Sequence, residues 1–94
     1  MIARRYGKII NTCSIQGIRC TMGMPGTPYN SSKGGDIMMV RSLAAEWAQY
    51  GITVNGIGPG YFPTDIDKEY LATDYFKGQL AMHCPMGRIG GMAN

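Results

Sequence analysis

The sequence predicts an α/β fold in which one long helix connects two parallel strands. Two short runs rich in apolar and β-branched residues, Gly7–Ser14 and Gly51–Gly60, flank a segment with helical hydrophobic spacing from Thr27 to Tyr50. A strand, a helix and a second strand in one sheet form a right-handed crossover with parallel strands. Ligands of open α/β sheets bind beyond the carboxyl ends of the strands, so we expect the functional residues there.

The first strand is predicted in Gly7–Ser14, where an apolar run ends in small polar residues. Such a run is typical of a buried parallel strand, and it places Ser14 at the carboxyl end of that strand. The preceding residues, Met1–Arg5, are interpreted as the last turn of a helix.

The helix is expected to begin near Thr27 and Pro28, with the threonine hydroxyl as its cap, and to end at Tyr50–Gly51. Gly34 and Gly35 inside it predict that another backbone approaches closely, since each glycine costs about 1 kcal/mol relative to alanine. The helix is apolar on two faces, so we expect one face on the sheet and the other on either a second subunit or the rest of this chain. The two faces consist of Ile37, Val40, Ala44, Trp47 and Ala48, and of Met38, Met39 and Leu43.

The second strand is predicted in Gly51–Gly60, which ends in a Pro59-Gly60 turn. From Thr64 to Cys84, acidic residues are interleaved with aromatic and aliphatic ones, which predicts two short helices. Because the two strands run in the same direction, Ser14, the start of the helix and the Pro-Gly turn are expected to converge at one edge of the sheet.

Tyr29 and Lys33 are the most informative pair of residues. On a helix, positions i and i+4 share a face, so the spacing places an ammonium beside a phenol. A neighbouring positive charge favours the phenolate and lets a phenol exchange protons near neutral pH. A Tyr-x-x-x-Lys match also arises by chance, and the alternative interpretation is a solvated lysine one turn beyond a packed tyrosine.

Four features follow one another along the chain: Ser14, Tyr29-x-x-x-Lys33, Asn55-x-x-x-Pro59-Gly60 and Thr64. In this combination the sequence resembles the short-chain dehydrogenase/reductase family over residues 7–90. The resemblance implies an oxidoreductase that uses NAD or NADP and has a partial Rossmann-type, doubly wound parallel sheet.

Tyr29 follows Ser14 by 15 positions, two more than the family spacing, and we place the extra residues in the loop at 17–28. Thr12 is the nearest alternative hydroxyl.

The resemblance also implies roles for these residues. Tyr29 would be the general acid/base, Lys33 would favour its charged form and hold the nicotinamide ribose hydroxyls, and Ser14 would donate a hydrogen bond to the reacting oxygen. The alternative for Ser14 is a serine that only satisfies local backbone groups, and the alternative for Pro59-Gly60 is an ordinary turn without a ligand. The cofactor-binding residues implied by the resemblance are Tyr29, Lys33, Pro59, Gly60, Phe62 and Thr64.

The chain of 94 residues is expected to be a C-terminal-half fragment of a single Rossmann-fold domain, spanning 1–94, with a substrate lid at 64–86. A dinucleotide-binding half needs a glycine-rich turn between its first strand and helix, where backbone amides hold the pyrophosphate. The glycines at 56–60 and 87–91 lack that spacing. The chain by itself is therefore expected to be inactive.

The formal net charge is +3 and the basic residues are scattered, so nucleic acid is not an expected partner. Three cysteines without a Cys-x-x-Cys pair and a single histidine indicate a reducing, cytoplasmic compartment and no metal site. No apolar stretch approaches the length of a membrane span. The expected partners are a small-molecule substrate and, in the full-length enzyme, further copies that pair through the Tyr29–Tyr50 helix.

Within the family, the sequence is most similar to members that interconvert the alcohol and ketone forms of a sugar acid such as gluconate. The segments responsible are Gly7–Asn11, Lys33–Gly35 and Asn55–Phe62. The alternative within the family is an enzyme like a 3-oxoacyl-carrier-protein reductase. Outside it, the alternatives are a catalytically inactive fragment that pairs through the helix, and an unrelated α/β binding domain with accidental motif matches.

Overall fold

Two parallel strands and a connecting helix form the first part of the chain. Strand β1, Gly7–Thr12, pairs with strand β2, Ile52–Ile57, in a register that runs from Gly7 opposite Ile52 to Thr12 opposite Ile57. Helix α1, Thr27–Trp47, lies between them in the chain and packs on β2. The predicted α/β crossover with a parallel sheet is confirmed.

The computed structural model describes residues 1–91. The chain divides into two units, Met1–Pro59 and the segment that begins at Gly60, and each is described by itself. Among the described residues, no helix combines the length and apolar character needed to cross a membrane.

One face of the two-stranded sheet is covered by α1. Ile9 and Ile52 line a cavity together with Trp47 of α1. Side chains alternate between the two faces of a strand, so Ile10 and Ile57 lie on the opposite face, where 67% and 57% of their surfaces are exposed. The described part of the chain therefore covers the sheet on one side.

The start of α1 differs from the prediction. Gly26 occupies the cap position without a side-chain bond, and its carbonyl accepts from Asn30 N–H at 2.8 Å. Thr27 is already helical, so its hydroxyl is not the cap, and the predicted cap is wrong. The predicted end is confirmed, because a 3-10 turn at Ala48–Tyr50 follows α1 and leads to Gly51 in the left-handed conformation with φ of 73°.

Residues 2–5 form a turn with the hydrogen bonds of a helix end, which agrees with the predicted last turn of a helix at Met1–Arg5. The Arg5 N–H bonds the Ile2 carbonyl at 3.1 Å, and Arg5 has φ of 56°. The Tyr6 N–H also bonds the Met1 carbonyl at 3.4 Å. These two bonds around a left-handed residue are the Schellman pattern in which helices commonly end.

Gly17 allows a second 3-10 turn, Ile15–Gly17, to pack closely against α1. A Cβ atom at Gly17 would lie 2.7 Å from the Lys33 carbonyl oxygen and 2.6 Å from Ile37 Cδ1. A Cβ atom at Gly34 would be 3.5 Å from the Gly17 carbonyl oxygen, whereas one at Gly35 would meet nothing within 4 Å. The predicted close approach of a second backbone is therefore confirmed at Gly34 but not at Gly35.

The second face of α1 is partly open in the described part of the chain. Met38 and Met39 are 57% and 45% exposed, and no residue of α1 is fully buried. Ile37 and Val40, on the first face, line a cavity with residues at the ends of β1 and β2. Leu43, on the second face, is half-buried. The described residues of this chain therefore do not bury Met38 and Met39.

The second unit contains the two predicted short helices, α2 at Lys68–Leu71 and α3 at Asp74–His83. Thr73 caps α3, because its hydroxyl oxygen accepts from Phe76 N–H at 3.2 Å. Phe76 is 2% exposed and packs its ring against Tyr61 and Tyr70, with centroids 4.8 and 5.4 Å away. These three rings form the core of the unit.

We expect Gly17→Ala to lower the free energy of unfolding by about 1–3 kcal/mol, since the added methyl group overlaps the Lys33 carbonyl. Gly35→Ala is the matched control. It adds the same group in open space within a helix and should raise stability by about 1 kcal/mol. Urea unfolding of the chain followed by circular dichroism measures both, and equal effects of the two substitutions would contradict the packing described for Gly17.

Candidate active site

Tyr29 and Lys33 lie in the first two turns of α1 and face each other, as their spacing predicts. The Lys33 Nζ atom is 5.9 Å from the centroid of the Tyr29 ring. Tyr29 is 52% exposed, so the residue is accessible to a ligand. The structure thus places a phenol and an ammonium together on an accessible surface of the first unit.

The Lys33 ammonium is anchored at the carboxyl end of β1. Its Nζ donates a hydrogen bond to the Thr12 carbonyl oxygen at 3.0 Å and forms an ion pair with Asp36 Oδ2 at 3.5 Å. Thr12 is the last residue of β1, so this bond ties the Tyr29-Lys33 pair to the strand end where ligands of α/β sheets bind. Thr12 contributes its carbonyl oxygen here, not the hydroxyl considered as a substitute for Ser14.

Ser14 is 6% exposed and begins the Ile15–Gly17 turn. Its Oγ accepts a hydrogen bond from Gln16 N–H at 3.2 Å, which is the local bond of the alternative interpretation. A hydroxyl that accepts one bond keeps its own hydrogen for donation. Within residues 1–91, the Ser14 hydroxyl and Tyr29 are not hydrogen-bonded to each other. Ser14 also lines a cavity of about 270 Å³ beside Ile37 and Val40.

The loop between Ser14 and Tyr29 is held by a cross-link between polar side chains. Gln16 Nε2 donates to Thr21 Oγ1 at 3.0 Å, and the Thr21 carbonyl accepts from Met24 N–H at 3.1 Å. Thr21 is 9% exposed. The loop therefore accommodates the longer spacing between Ser14 and Tyr29 in a folded form.

Pro59 lies at the same end of the sheet as Ser14. The Pro59 carbonyl accepts a hydrogen bond from Ile15 N–H at 3.5 Å, and the Ile57 carbonyl accepts from Cys13 N–H at 2.7 Å. These bonds extend the parallel pairing beyond β1 and β2. Four of the predicted residues belong to the first unit: Ser14, Tyr29, Lys33 and Pro59. Three of them, Ser14, Lys33 and Pro59, lie at the carboxyl end of the two-stranded sheet.

The remaining predicted residues, Gly60, Phe62 and Thr64, belong to the second unit. The Phe62 ring occupies the space that a side chain at Gly90 would take. The Thr64 N–H and hydroxyl both donate to Asp67 Oδ1, at 2.9 and 2.7 Å. These two bonds hold the pKa of Asp67 below its usual value because they favour the carboxylate, and the bond from the hydroxyl has the larger effect. The hydroxyl hydrogen of Thr64 is thus already engaged, while its oxygen can still accept.

Sequence reasoning missed two contributors, Asp36 and Gln16. Asp36 follows Lys33 at i+3, a helical spacing that brings side chains together and could have been used. Gln16 acts through its backbone N–H and through a bond to Thr21, and no sequence pattern indicates either. Among the described residues, no three His, Cys, Asp or Glu side chains are grouped so that they could hold a metal ion.

Comparison with known proteins adds a family match to this geometry. The sequence profile of the family described as short chain dehydrogenase matches residues 1–74. Gluconate 5-dehydrogenase from Gluconobacter oxydans is 36% identical over 91 residues, which cover 96% of this chain and 34% of that protein. A 3-oxoacyl-[acyl-carrier-protein] reductase from Haemophilus influenzae is 40% identical over 91 residues, covering 96% of this chain and 36% of that protein.

A solved structure shares the fold. The crystal structure of a gluconate 5-dehydrogenase from Burkholderia cenocepacia, in complex with NADP and tartrate, superposes with a TM-score of 0.83 at 39% identity. The match covers 95% of this chain and 34% of that one. The chain therefore spans about a third of the length of the relatives it matches.

We expect Thr64→Val to raise the pKa of Asp67 toward its ordinary value, because the substitution removes the hydroxyl that donates to the carboxylate. NMR titration of the side-chain carboxyl carbons measures this pKa. Thr53→Val, which removes an exposed hydroxyl from β2, should leave it unchanged. An identical Asp67 titration in Thr64→Val and the parent chain would show that the hydroxyl bond does not form in solution.

Proposed function

The chain belongs to the short-chain dehydrogenase family, and we propose that it supplies the proton-transfer residues of an enzyme that interconverts an alcohol and a ketone with NAD or NADP. The observation on which this depends is the position of the Lys33 ammonium, between the Tyr29 ring and the Thr12 carbonyl at the end of β1. That position puts the ammonium beside a phenol-bearing residue that is itself accessible to a ligand.

Tyr29 is the general acid/base of the proposed reaction. In reduction its hydroxyl gives a proton to the carbonyl oxygen of the substrate, and in oxidation its phenolate takes the proton from the alcohol. A nicotinamide held there would supply or accept the hydride at the carbon of the same group. Ser14 donates its free hydroxyl hydrogen to the substrate oxygen, where negative charge develops.

In the first unit, Lys33 fits the ribose of a nicotinamide nucleotide bound at the strand ends. Lys33 Nζ has three hydrogens and donates one to the Thr12 carbonyl, so it can also donate to a ribose hydroxyl. The Thr64 hydroxyl donates to Asp67, so Thr64 would accept a bond from the nicotinamide carboxamide through its oxygen. We also assign backbone or ring contacts with the cofactor to Pro59, Gly60 and Phe62. NADP in the structure of the Burkholderia cenocepacia relative supports this class of cofactor.

The proposed substrate is a sugar acid such as gluconate, and residues 64–86 are proposed as the lid over it. The support is the similarity to gluconate 5-dehydrogenases in sequence and in structure. A 3-oxoacyl thioester is the second candidate, because a 3-oxoacyl-[acyl-carrier-protein] reductase is similarly identical over the same share of the chain. Free thiols at Cys13, Cys20 and Cys84 support a reducing compartment, the cytoplasm.

The test uses a chimaera in which this chain replaces the segment of the Gluconobacter oxydans gluconate 5-dehydrogenase that it aligns with. The chimaera should oxidise gluconate with NAD or NADP, and Tyr29→Phe should lower kcat by about 10²–10⁴-fold while NADP affinity stays nearly unchanged, because only the proton donor is lost. Tyr6→Phe makes the same change at an exposed tyrosine and should leave kcat unaltered. Undiminished turnover in Tyr29→Phe would refute the assigned role. Reduction of a 3-oxoacyl thioester without gluconate oxidation would favour the second substrate.

We further propose that copies of the enzyme pair through the Tyr29–Tyr50 helix. The exposed Met38 and Met39 on the partly open face of α1 support this, because an apolar helix face is stable when buried. In the alternative, the chain is a catalytically inactive fragment that only pairs with other copies, and it would pair through the same face of α1.

Met38→Asp and Met39→Asp together should therefore lower the sedimentation coefficient of the chimaera to that of a smaller oligomer, since they would bury charge in the interface. Met22→Asp, at a methionine that is 81% exposed outside α1, serves as the control and should not change it. Unchanged sedimentation of the double variant would exclude this helix face as the interface. Pairing in a chimaera without turnover would favour the inactive alternative.

A further inference from the structure

A cavity of about 270 Å³ lies between α1 and the carboxyl end of the two strands. Neither Tyr29 nor Lys33 lines it, and Ser14 lies in its wall. The rest of the lining is mainly apolar and comes from the residues after β1, from α1 and from β2: Cys13, Ile15, Ile37, Val40, Gly56 and Gly58. The proposed reaction leaves this space without a role.

The mouth of the cavity combines an apolar side chain with a cation. Ile18 is 73% exposed and Arg41 is also exposed, whereas Cys13 and Ser14 are buried. The first two residues therefore mark the opening and the last two the floor. Within residues 1–91, no carboxylate lies within ion-pairing distance of the Arg41 guanidinium. An apolar space thus opens beside a positive charge that the described part of the chain does not neutralise.

We propose that this cavity binds a small monocarboxylate with an apolar body, such as an aromatic or branched-chain acid. The apolar body occupies the cavity, and the carboxylate lies at the mouth. There the planar guanidinium of Arg41 can donate two parallel hydrogen bonds to it. A mostly apolar lining with a few polar groups that orient the ligand is the usual composition of a small-molecule site.

The volume limits the size of the ligand. Small-molecule pockets generally measure about 300–1,000 Å³, so a cavity of about 270 Å³ suits a small ligand. An apolar cavity of about 150 Å³ is large enough to bind benzene. There is therefore room for one aromatic ring and its carboxylate. Such a ligand gains dispersion contacts with lining atoms that otherwise face empty space.

The lining also disfavours a second molecule of the proposed sugar-acid substrate. Gluconate has the carboxylate, but its hydroxyl groups would leave water for walls formed by residues such as Ile37 and Val40. A hydroxyl that is buried without a hydrogen-bond partner is destabilising. The apolar body therefore distinguishes the proposed ligand from the proposed substrate.

NMR titration of the isotopically labelled chain with benzoate, benzamide and acetate tests the proposal. Benzoate should shift the amide signals of Cys13, Val40 and Gly56 in a saturable manner. Benzamide has the same ring without the charge, so it should bind more weakly by up to about fivefold, the effect of a partly exposed ion pair. Acetate has the charge without the ring and should not produce these shifts at the same concentration.

Arg41→Gln tests the cation. It should lower the benzoate affinity to that of benzamide and leave the benzamide affinity unchanged. Arg4→Gln removes an exposed arginine that does not line the cavity, so it should not change either affinity. Arg41 is exposed, and a well-dispersed spectrum of the variant would verify that it folds.

Gly58→Ala tests the cavity itself. A Cβ atom there would lie 3.7 Å from the Ser14 carbonyl carbon, an ordinary contact, so the methyl group narrows the cavity without a clash. Both aromatic ligands should then bind more weakly. Gly35→Ala adds the same group where nothing lies within 4 Å and serves as the control.

Three outcomes would overturn the proposal. The first is the absence of saturable shifts at the lining residues with benzoate. The second is an equal benzoate affinity in Arg41→Gln and the parent chain. The third is binding by the chain but not by the chimaera, which would mean that other segments of a whole enzyme fill the cavity. None of these measurements depends on turnover, so they test this proposal separately from the proposed function.

Discussion

The hydrogen bond from Lys33 Nζ to the Thr12 carbonyl is the contact that holds the candidate site together, because it connects helix α1 to the end of strand β1. It joins residues 21 positions apart and fixes the ammonium at the carboxyl end of β1. The geometry requires α1 to lie close to the residues that follow β1, and that approach is possible because Gly17 has no side chain to collide with the Lys33 carbonyl. A glycine outside the Tyr29-Lys33 pair therefore helps to determine where Lys33 lies.

Hydrophobic periodicity was sufficient to predict the elements of the first unit. The strands were predicted at 7–14 and 51–60 and occur at Gly7–Thr12 and Ile52–Ile57, with the parallel pairing that the crossover rule requires. The errors concern the ends of elements. Gly26 caps α1, although Thr27 has the side chain suited to a cap. The backbone conformation at the start of the helix determines which residue is the cap. A hydroxyl in the sequence does not reveal that conformation.

The candidate site was predictable to the extent that it depends on side chains at helical spacing. Tyr29 and Lys33 followed from the i, i+4 relation, and Asp36 was equally accessible through i, i+3. The Thr12 carbonyl was not, because every residue has a carbonyl group and only the folded chain determines which one meets the ammonium. The Thr64 bonds to Asp67 were missed because Thr64 was considered only as a partner of the cofactor.

The local hydrogen bond of Ser14 is compatible with the catalytic role proposed for this residue, which sequence reasoning did not anticipate. A serine that caps a turn and a serine that contacts substrate were treated as alternatives, yet the structure makes them compatible. The Gln16 N–H occupies an acceptor position of the Ser14 oxygen and leaves the hydroxyl hydrogen available. A group that stabilises growing negative charge needs to donate, and it works best when its orientation is already fixed. The bond that makes Ser14 look structural is therefore the one that would prepare it to donate.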